Sequence, residues 1–209
     1  MRRGILGGAF NPPHLGHMVL AQEALAQLEL DLVVLMPMGQ PPHRELADDP
    51  GAEVRFELAE AAAAGDERFE ASRLEVDREG PSFTVDTLAA LHEQHPDDEL
   101  VWILGGDQAA TLRQWHEPER VLELATIAAT ERGAWRRAGI FVEAAHLRNS
   151  ERLRFFEMPP IGLSSSLIRR RVRRGQPIRY LVPDGVVELI ESRGLYLDAQ
   201  ARGAAVAAT

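Results

Sequence analysis

The sequence predicts a doubly wound α/β protein, a parallel sheet with helices on both faces. Three observations carry this reading. Short apolar runs alternate with helical patterns along the whole chain, the order that βαβ units produce. Glycine-rich or charged segments follow the runs: Gly7-Gly8, Pro37-Met38-Gly39, Gly105-Gly106-Asp107 and Pro159 to Ser166. Parallel sheets place such segments together at the carboxyl ends of their strands, where ligands bind. Finally, 209 residues with 45% hydrophobic content suit one domain with a well-buried core.

Gly4-Ile5-Leu6 opens the first strand, and residues 18–28 continue as a helix with His17 in its first turn. Residues 32–36 form the second strand, ended by Pro37. The proline-rich segment 39–51 reads as a long functional loop or a connector. Residues 53–64 read as a helix with Val54, Leu58, Ala61 and Ala62 inward. Residues 69–76 read as an extended run or strand pair before the turn Glu79-Gly80-Pro81, and residues 84–95 as an amphipathic helix through Val85, Leu88 and Leu91. Strand 100–104, a helix from Gln108, and strands 126–130 and 154–158 complete the sheet. The expected domain is 1–197. The tail 198–209 is rich in alanine and glycine without apolar periodicity and is expected to be disordered.

Composition narrows the chemistry. The chain has no cysteine, which excludes disulfides, thiolate catalysis and cysteine-ligated zinc. It has no lysine either: all 23 cations are arginines, so Schiff-base chemistry is excluded. Anions must be met by arginine, histidine, backbone N–H groups or metal. A net charge of −9 argues against nucleic acid as a partner. No apolar run approaches the ~18 residues of a membrane span, and no signal-peptide core follows Met1, so no membrane and a cytoplasmic location are expected.

The segment from Gly7 to His17, GGAFNPPHLGH, carries the chemistry. Glycines allow close backbone approach to a phosphate, and the following helix offers N–H groups and a positive dipole end. His14 and His17 add donors beside that end. The combination suits the phosphates of a nucleoside triphosphate; the plainer alternative is a strand–turn–helix corner whose histidines bond to carbonyls. No G-K-[ST] follows, and there is no G-x-G-x-x-G spacing. A second segment, Ser164-Ser165-Ser166-Leu167-Ile168-Arg169, reads as a helix start, either a serine cap with a solvated arginine face or an anion site.

The pattern G-x-F-x-P-x-H-x-G-H resembles the signature of the nucleotidylyltransferase superfamily. Together with the second segment it is similar to the nicotinate mononucleotide adenylyltransferases, whose I-S-S-T-x-I-R corresponds to Leu163 through Arg169. Gln40-Pro41-Pro42-His43-Arg44 resembles that family's P-P-H-K loop, with Arg44 for lysine. Residues 81–88 resemble P-S-Y-T-x-D-T-L, with Phe83 for tyrosine, and Gly105-Gly106-Asp107 with Trp115 resembles G-A-D followed by tryptophan. Asn11 replaces the commoner aspartate, and Glu131-Arg132-Gly133 lacks the usual proline.

The resemblance implies a Rossmann-like nucleotidylyltransferase fold with a small C-terminal helical part. It implies AMP transfer from ATP to nicotinate mononucleotide, giving nicotinate adenine dinucleotide and pyrophosphate. It assigns catalysis to His17, His14, Arg44 and Arg169, with Ser165 and Ser166 donating to phosphates. ATP contacts fall on Gly7, Gly8, Phe10, His14, Gly16, His17, Ser164, Ser165, Ser166, Ile168 and Arg169. The mononucleotide falls to Arg44, Thr84, Asp107 and Trp115: a stacking face, backbone donors and no carboxylate acceptor, with Asp107 on ribose. The plainer alternatives are a half-buried core residue for Trp115 and a helix cap for Asp107, roles that can coexist with these. Mg²⁺ is expected on ATP, with no protein metal cage. Oligomeric state is left open, a homodimer being one reading. The rivals are a pantetheine phosphate adenylyltransferase, which carries T-x-G-H, a cytidylyltransferase, and a non-catalytic nucleotide sensor.

Overall fold

In the computed structural model, residues 1–42, 45–130 and 137–198 are described. Six strands form one parallel sheet in the order β3-β2-β1-β4-β5-β6. They are β1 (Arg2–Gly8), β2 (Leu32–Pro37), β3 (Phe69–Ala71), β4 (Glu99–Gly105), β5 (Thr126–Thr130) and β6 (Leu153–Phe156). The strand order reverses between β1 and β4, which opens a crevice there at the carboxyl edge.

Alternation along the strands divides the core between the two faces. Leu6, Val33, Leu35, Val101 and Ile103 point to one side. There they meet α1 (Leu15–Gln27), α2 (Ala52–Ala63), α7 (Ser165–Arg173) and α8 (Asp184–Ser192). Ile5, Val34, Met36, Trp102, Leu104 and Ile127 point to the other. They meet α3 (Thr84–Gln94), α5 (Pro118–Leu124) and α6 (Arg137–Ala144). With both faces covered, the strands are continuous apolar runs. Helices α7 and α8 are the C-terminal helical part that the resemblance implied.

Several boundaries differ from expectation. The run after Phe69 keeps only three residues as an edge strand, because β3 pairs with β2 alone and the chain then turns at residues 74–78. β6 stops at Phe156, before Glu157 and Met158. The helix expected from Gln108 is instead α4 (Gly106–Ala109) and a 3-10 turn, Leu112–Gln114. Glu117 then takes a left-handed conformation, and Pro118 starts α5 at the position proline favours. The inward stripe of α2 is Arg55, Phe56, Leu58, Ala59, Ala62 and Ala63, so Val54 and Ala61 lie only half-inward. Of the tail, only Asp198 falls among the described residues, as the Glu131–Gly133 segment and Arg44 do not.

Candidate active site

β1 delivers its glycines to the crevice. A Cβ on Gly7 would lie 2.5 Å from the Trp102 indole of β4, so only glycine lets the strand pass that ring. Phe10, with φ of +47°, is buried and meets the His17 ring edge-on at 5.3 Å. The chain then enters α1 with His14 as the extended residue before the helix. The His14 and His17 rings stack at 3.8 Å between centroids. A Cβ on Gly16 would sit 3.0 Å from the His14 ring, a tight contact that would press on that stack. The His14 backbone N–H donates to His17 Nδ1 at 3.1 Å. That bond makes Nδ1 an acceptor, so neutral His17 carries its proton on Nε2. His17 thus has a fixed tautomer with a donor at the start of a helix.

The second motif docks directly on the first. Ser165 Oγ donates to the Pro12 carbonyl at 2.8 Å. Buried Arg169 donates from Nη1 to the Asn11 carbonyl at 2.8 Å, from Nη2 to Ser166 Oγ at 3.3 Å, and from Nε to Asp48 at 3.0 Å. Arg173 reaches the same Asp48 oxygen at 2.9 Å. Hydrogen bonds from Arg173 and then Arg169 hold the Asp48 carboxyl below the usual carboxylate range. Asn11 Nδ2 donates to the Ala47 carbonyl at 2.9 Å, a contact that the commoner aspartate could not make. The loop 45–51 is thereby pinned against both motifs.

The structure gives the residues of the second motif distinct places. Ile168 has no exposed surface and its N–H donates to the Ser164 carbonyl, so it is a core anchor of α7. The one hydroxyl proton of Ser165 is engaged with Pro12, whereas Ser164 and Ser166 accept through Oγ and keep theirs to donate. Ser164 accepts from the Leu167 N–H and caps α7.

Beside this corner opens a cavity of about 360 Å³. Gly7, Gly8 and Ala9 form one wall, Thr84 and Trp115 another. Trp115 is half-buried and donates from Nε1 to Thr111 Oγ1 at 3.3 Å, which fixes its ring. Thr84 is the first residue of α3, whose first-turn N–H groups have no partner within the helix. Phe83 and His116 contact each other at 4.6 Å across the same cavity. Asp107 is exposed on α4 and does not line it; its neighbour Gln108 does.

Two buried charges here were not foreseen. Glu75 lines the cavity at 4% exposure, so the pocket does contain a carboxylate, contrary to the sequence reading. Burial pushes its pKa up, against hydrogen bonds from the Thr87 and Ser82 hydroxyls. Thr87 Oγ1 lies 2.6 Å from Glu75 Oε1. Arg55, 1% exposed, donates to Asp49 Oδ1 at 2.9 Å, the Gly39 carbonyl at 2.9 Å, the Ala9 carbonyl at 3.3 Å and the Met38 carbonyl. It fastens together the chain after β1, the chain after β2 and the loop 45–51. Only its place in the apolar stripe of α2 could have disclosed it.

A cytidylyltransferase-like family model matches residues 5–171. The chain is 42% identical over 197 residues to a probable nicotinate-nucleotide adenylyltransferase of Rubrobacter xylanophilus, covering 94% of this chain and 92% of that one. It is 41% identical over 193 residues to a protein of the same description from Geobacillus thermodenitrificans, covering 92% and 85%. Its fold is similar to that of the Plasmodium falciparum nicotinic acid mononucleotide adenylyltransferase complexed with NaAD. That match has a TM-score of 0.75 and 17% identity, and covers 93% of this chain and 97% of that one.

Proposed function

The chain belongs to the cytidylyltransferase-like family and, among its relatives, to the nicotinate-nucleotide adenylyltransferases, and on that premise we propose how the crevice divides the reaction. The enzyme transfers AMP from ATP to nicotinate mononucleotide in NAD biosynthesis. One observation carries the assignment of sides: Gly7, Gly8 and Ala9 wall the acceptor cavity and lead straight into the histidine corner. The acceptor's 5′-phosphate therefore arrives beside the α-phosphorus of an ATP held at the start of α1.

In-line attack on that phosphorus needs positioning and charge stabilisation rather than a covalent nucleophile. His17 Nε2–H donates to the α-phosphate oxygen on which charge builds, while His14 braces the ring and faces the neighbouring phosphate. Of the five N–H groups of Arg169, three are engaged among the described residues, and the other two are assigned to the polyphosphate. Ser166 donates beside it. Asp107 serves ribose hydroxyls from the rim. Among the described residues no three His, Asp or Glu side chains converge as a metal site, and the phosphate side presents imidazole and guanidinium. Such donors suit a Mg²⁺ carried by the triphosphate's own oxygens and water, where it would offset phosphate charge. Pyrophosphate release from ATP, measured with nicotinate mononucleotide, with phosphopantetheine, and with CTP in place of ATP, tests the reading. Release that does not need the pyridine mononucleotide overturns it.

The acceptor's carboxylate meets the first-turn N–H groups at Thr84, and its ring stacks on Trp115. We assign the Glu75 carboxylate to the Thr87 hydroxyl at the start of α3 rather than to the acceptor's ring substituent. An amide N–H₂ left unmatched in a desolvated site costs ~1–3 kcal/mol. Nicotinate mononucleotide is therefore expected to exceed nicotinamide mononucleotide by at least about tenfold in kcat/KM. Steady-state assays decide this, and equal efficiencies would remove the pocket assignment.

Arg44 is assigned to the phosphates as a bidentate partner. Arg44→Ala should raise the KM for ATP about tenfold or more and Arg44→Lys should recover most of it, since a charged hydrogen bond is worth ~1.5–3 kcal/mol. Unchanged kinetics in Arg44→Ala would make the proline-rich segment a connector only.

A further inference from the structure

Glu75 touches neither of the two sequence motifs, yet it sits where three acceptor-side segments meet. The Thr87 hydroxyl, on the first turns of α3 and wholly buried, lies 2.6 Å from its Oε1. The Ser82 hydroxyl lies close enough to the same carboxylate to lower its pKa. Ser82 Oγ also accepts from the Gly39 N–H at 3.0 Å, and the Ser82 N–H donates to the Gln40 carbonyl at 2.8 Å. From the far side, Arg78 Nη2 donates to Thr87 Oγ1 at 3.1 Å. Gly39 is packed so tightly on the backbone here that an added Cβ would lie 2.1 Å from the Glu75 carbonyl oxygen. The Glu75 carboxylate thus anchors the start of α3 while its backbone packs on the segment after β2, and both segments line the acceptor cavity.

We propose that Glu75 is a positioning residue for acceptor discrimination: by holding Thr87 it fixes the first-turn N–H groups of α3 at the spot where the acceptor's ring carboxylate is bound. This rests on the function proposed above. The physical reasoning is that charge-assisted hydrogen bonds to a carboxylate are stronger and more geometry-dependent than those to a neutral amide. Displacing the helix start must then hurt the acid acceptor more than the amide.

The test is the ratio of kcat/KM for nicotinate over nicotinamide mononucleotide, with the KM for ATP and the unfolding midpoint measured on the same preparations. Glu75→Ala is expected to lower the ratio about tenfold. The loss should fall on the KM for nicotinate mononucleotide, with the KM for ATP within about twofold of wild type. Glu75→Gln keeps a carbonyl for the Thr87 hydroxyl and should hold the ratio within about threefold. Thr87→Val should reproduce the loss and Thr87→Ser should restore it. The two Thr87 variants settle the matter if Glu75→Ala does not fold. Ratios that stay at the wild-type value in Glu75→Ala and Thr87→Val overturn the proposal, as does a ratio in Glu75→Gln that falls as far as in Glu75→Ala. A wild-type enzyme that fails to use nicotinate mononucleotide would instead overturn the function itself.

Discussion

His17→Ala is expected to lower kcat by ~10²–10³-fold with little change in stability, the loss typical of one donor aimed at developing charge. The fold should tolerate the change because the ring is only half-buried and the α1 core rests on Leu20, Ala21, Ala24 and Leu25. The size of the effect follows from preorganisation: the His14 N–H bond to Nδ1 and the 3.8 Å ring stack set both tautomer and direction before substrate arrives. Because the donor acts on the transition state, the loss should appear in kcat more than in the KM for ATP. Single-turnover formation of nicotinate adenine dinucleotide is the cleanest measurement. A folded variant within about threefold of wild type would take His17 out of the mechanism.

The largest effect on stability is expected at Arg55. Arg55→Met keeps much of the side chain's length but withdraws the donor from Asp49 and from the Ala9, Met38 and Gly39 carbonyls. Removing one partner of a buried, hydrogen-bonded charge costs about 3–5 kcal/mol. Against a total of about 5–15 kcal/mol this is a large fraction, and it corresponds to a fall in Tm of roughly 10 °C. Arg55→Lys should recover part of it, since the three donors of one ammonium cannot serve all four acceptors in the guanidinium's geometry. Urea unfolding of the three proteins measures this, and a loss under about 1 kcal/mol would show that the segments hold together without Arg55. Activity should fall as well, because the loops released are the ones that wall the acceptor cavity.

What the sequence disclosed and what it hid divide along a physical line. The histidine corner was legible because its residues are local: a strand, a glycine turn and a helix start place His14 and His17 on one face by spacing alone. Val85, Leu88 and Leu91 were legible for the same reason, each being buried on α3. The docking of Ser165 on Pro12 was not, since 153 residues separate them and no pattern marks the pairing. Glu75 lies between β3 and α3 in a stretch without period, so its burial had no signal. Arg55 did leave one, a cation in phase with Leu58, Ala59 and Ala62, but propensity reads arginine as solvated. Asp48 is intelligible only once Arg169 and Arg173 have arrived from the far end of the chain.

That arrival has a consequence for how the enzyme is made. The bond between Arg169 and the Asn11 carbonyl joins residues 158 apart, and β1 must find β4 across nearly a hundred residues before the crevice exists. Contacts of such separation slow folding, because chain closure must be met before they reward it. Synthesis runs from the amino end, so the first motif emerges long before its partner helix. Until α7 is complete, the turn from Gly7 to His17 lacks the Ser165 and Arg169 contacts that help brace it. The nascent chain therefore completes its catalytic geometry only once α7 has been made, long after the central strand β1.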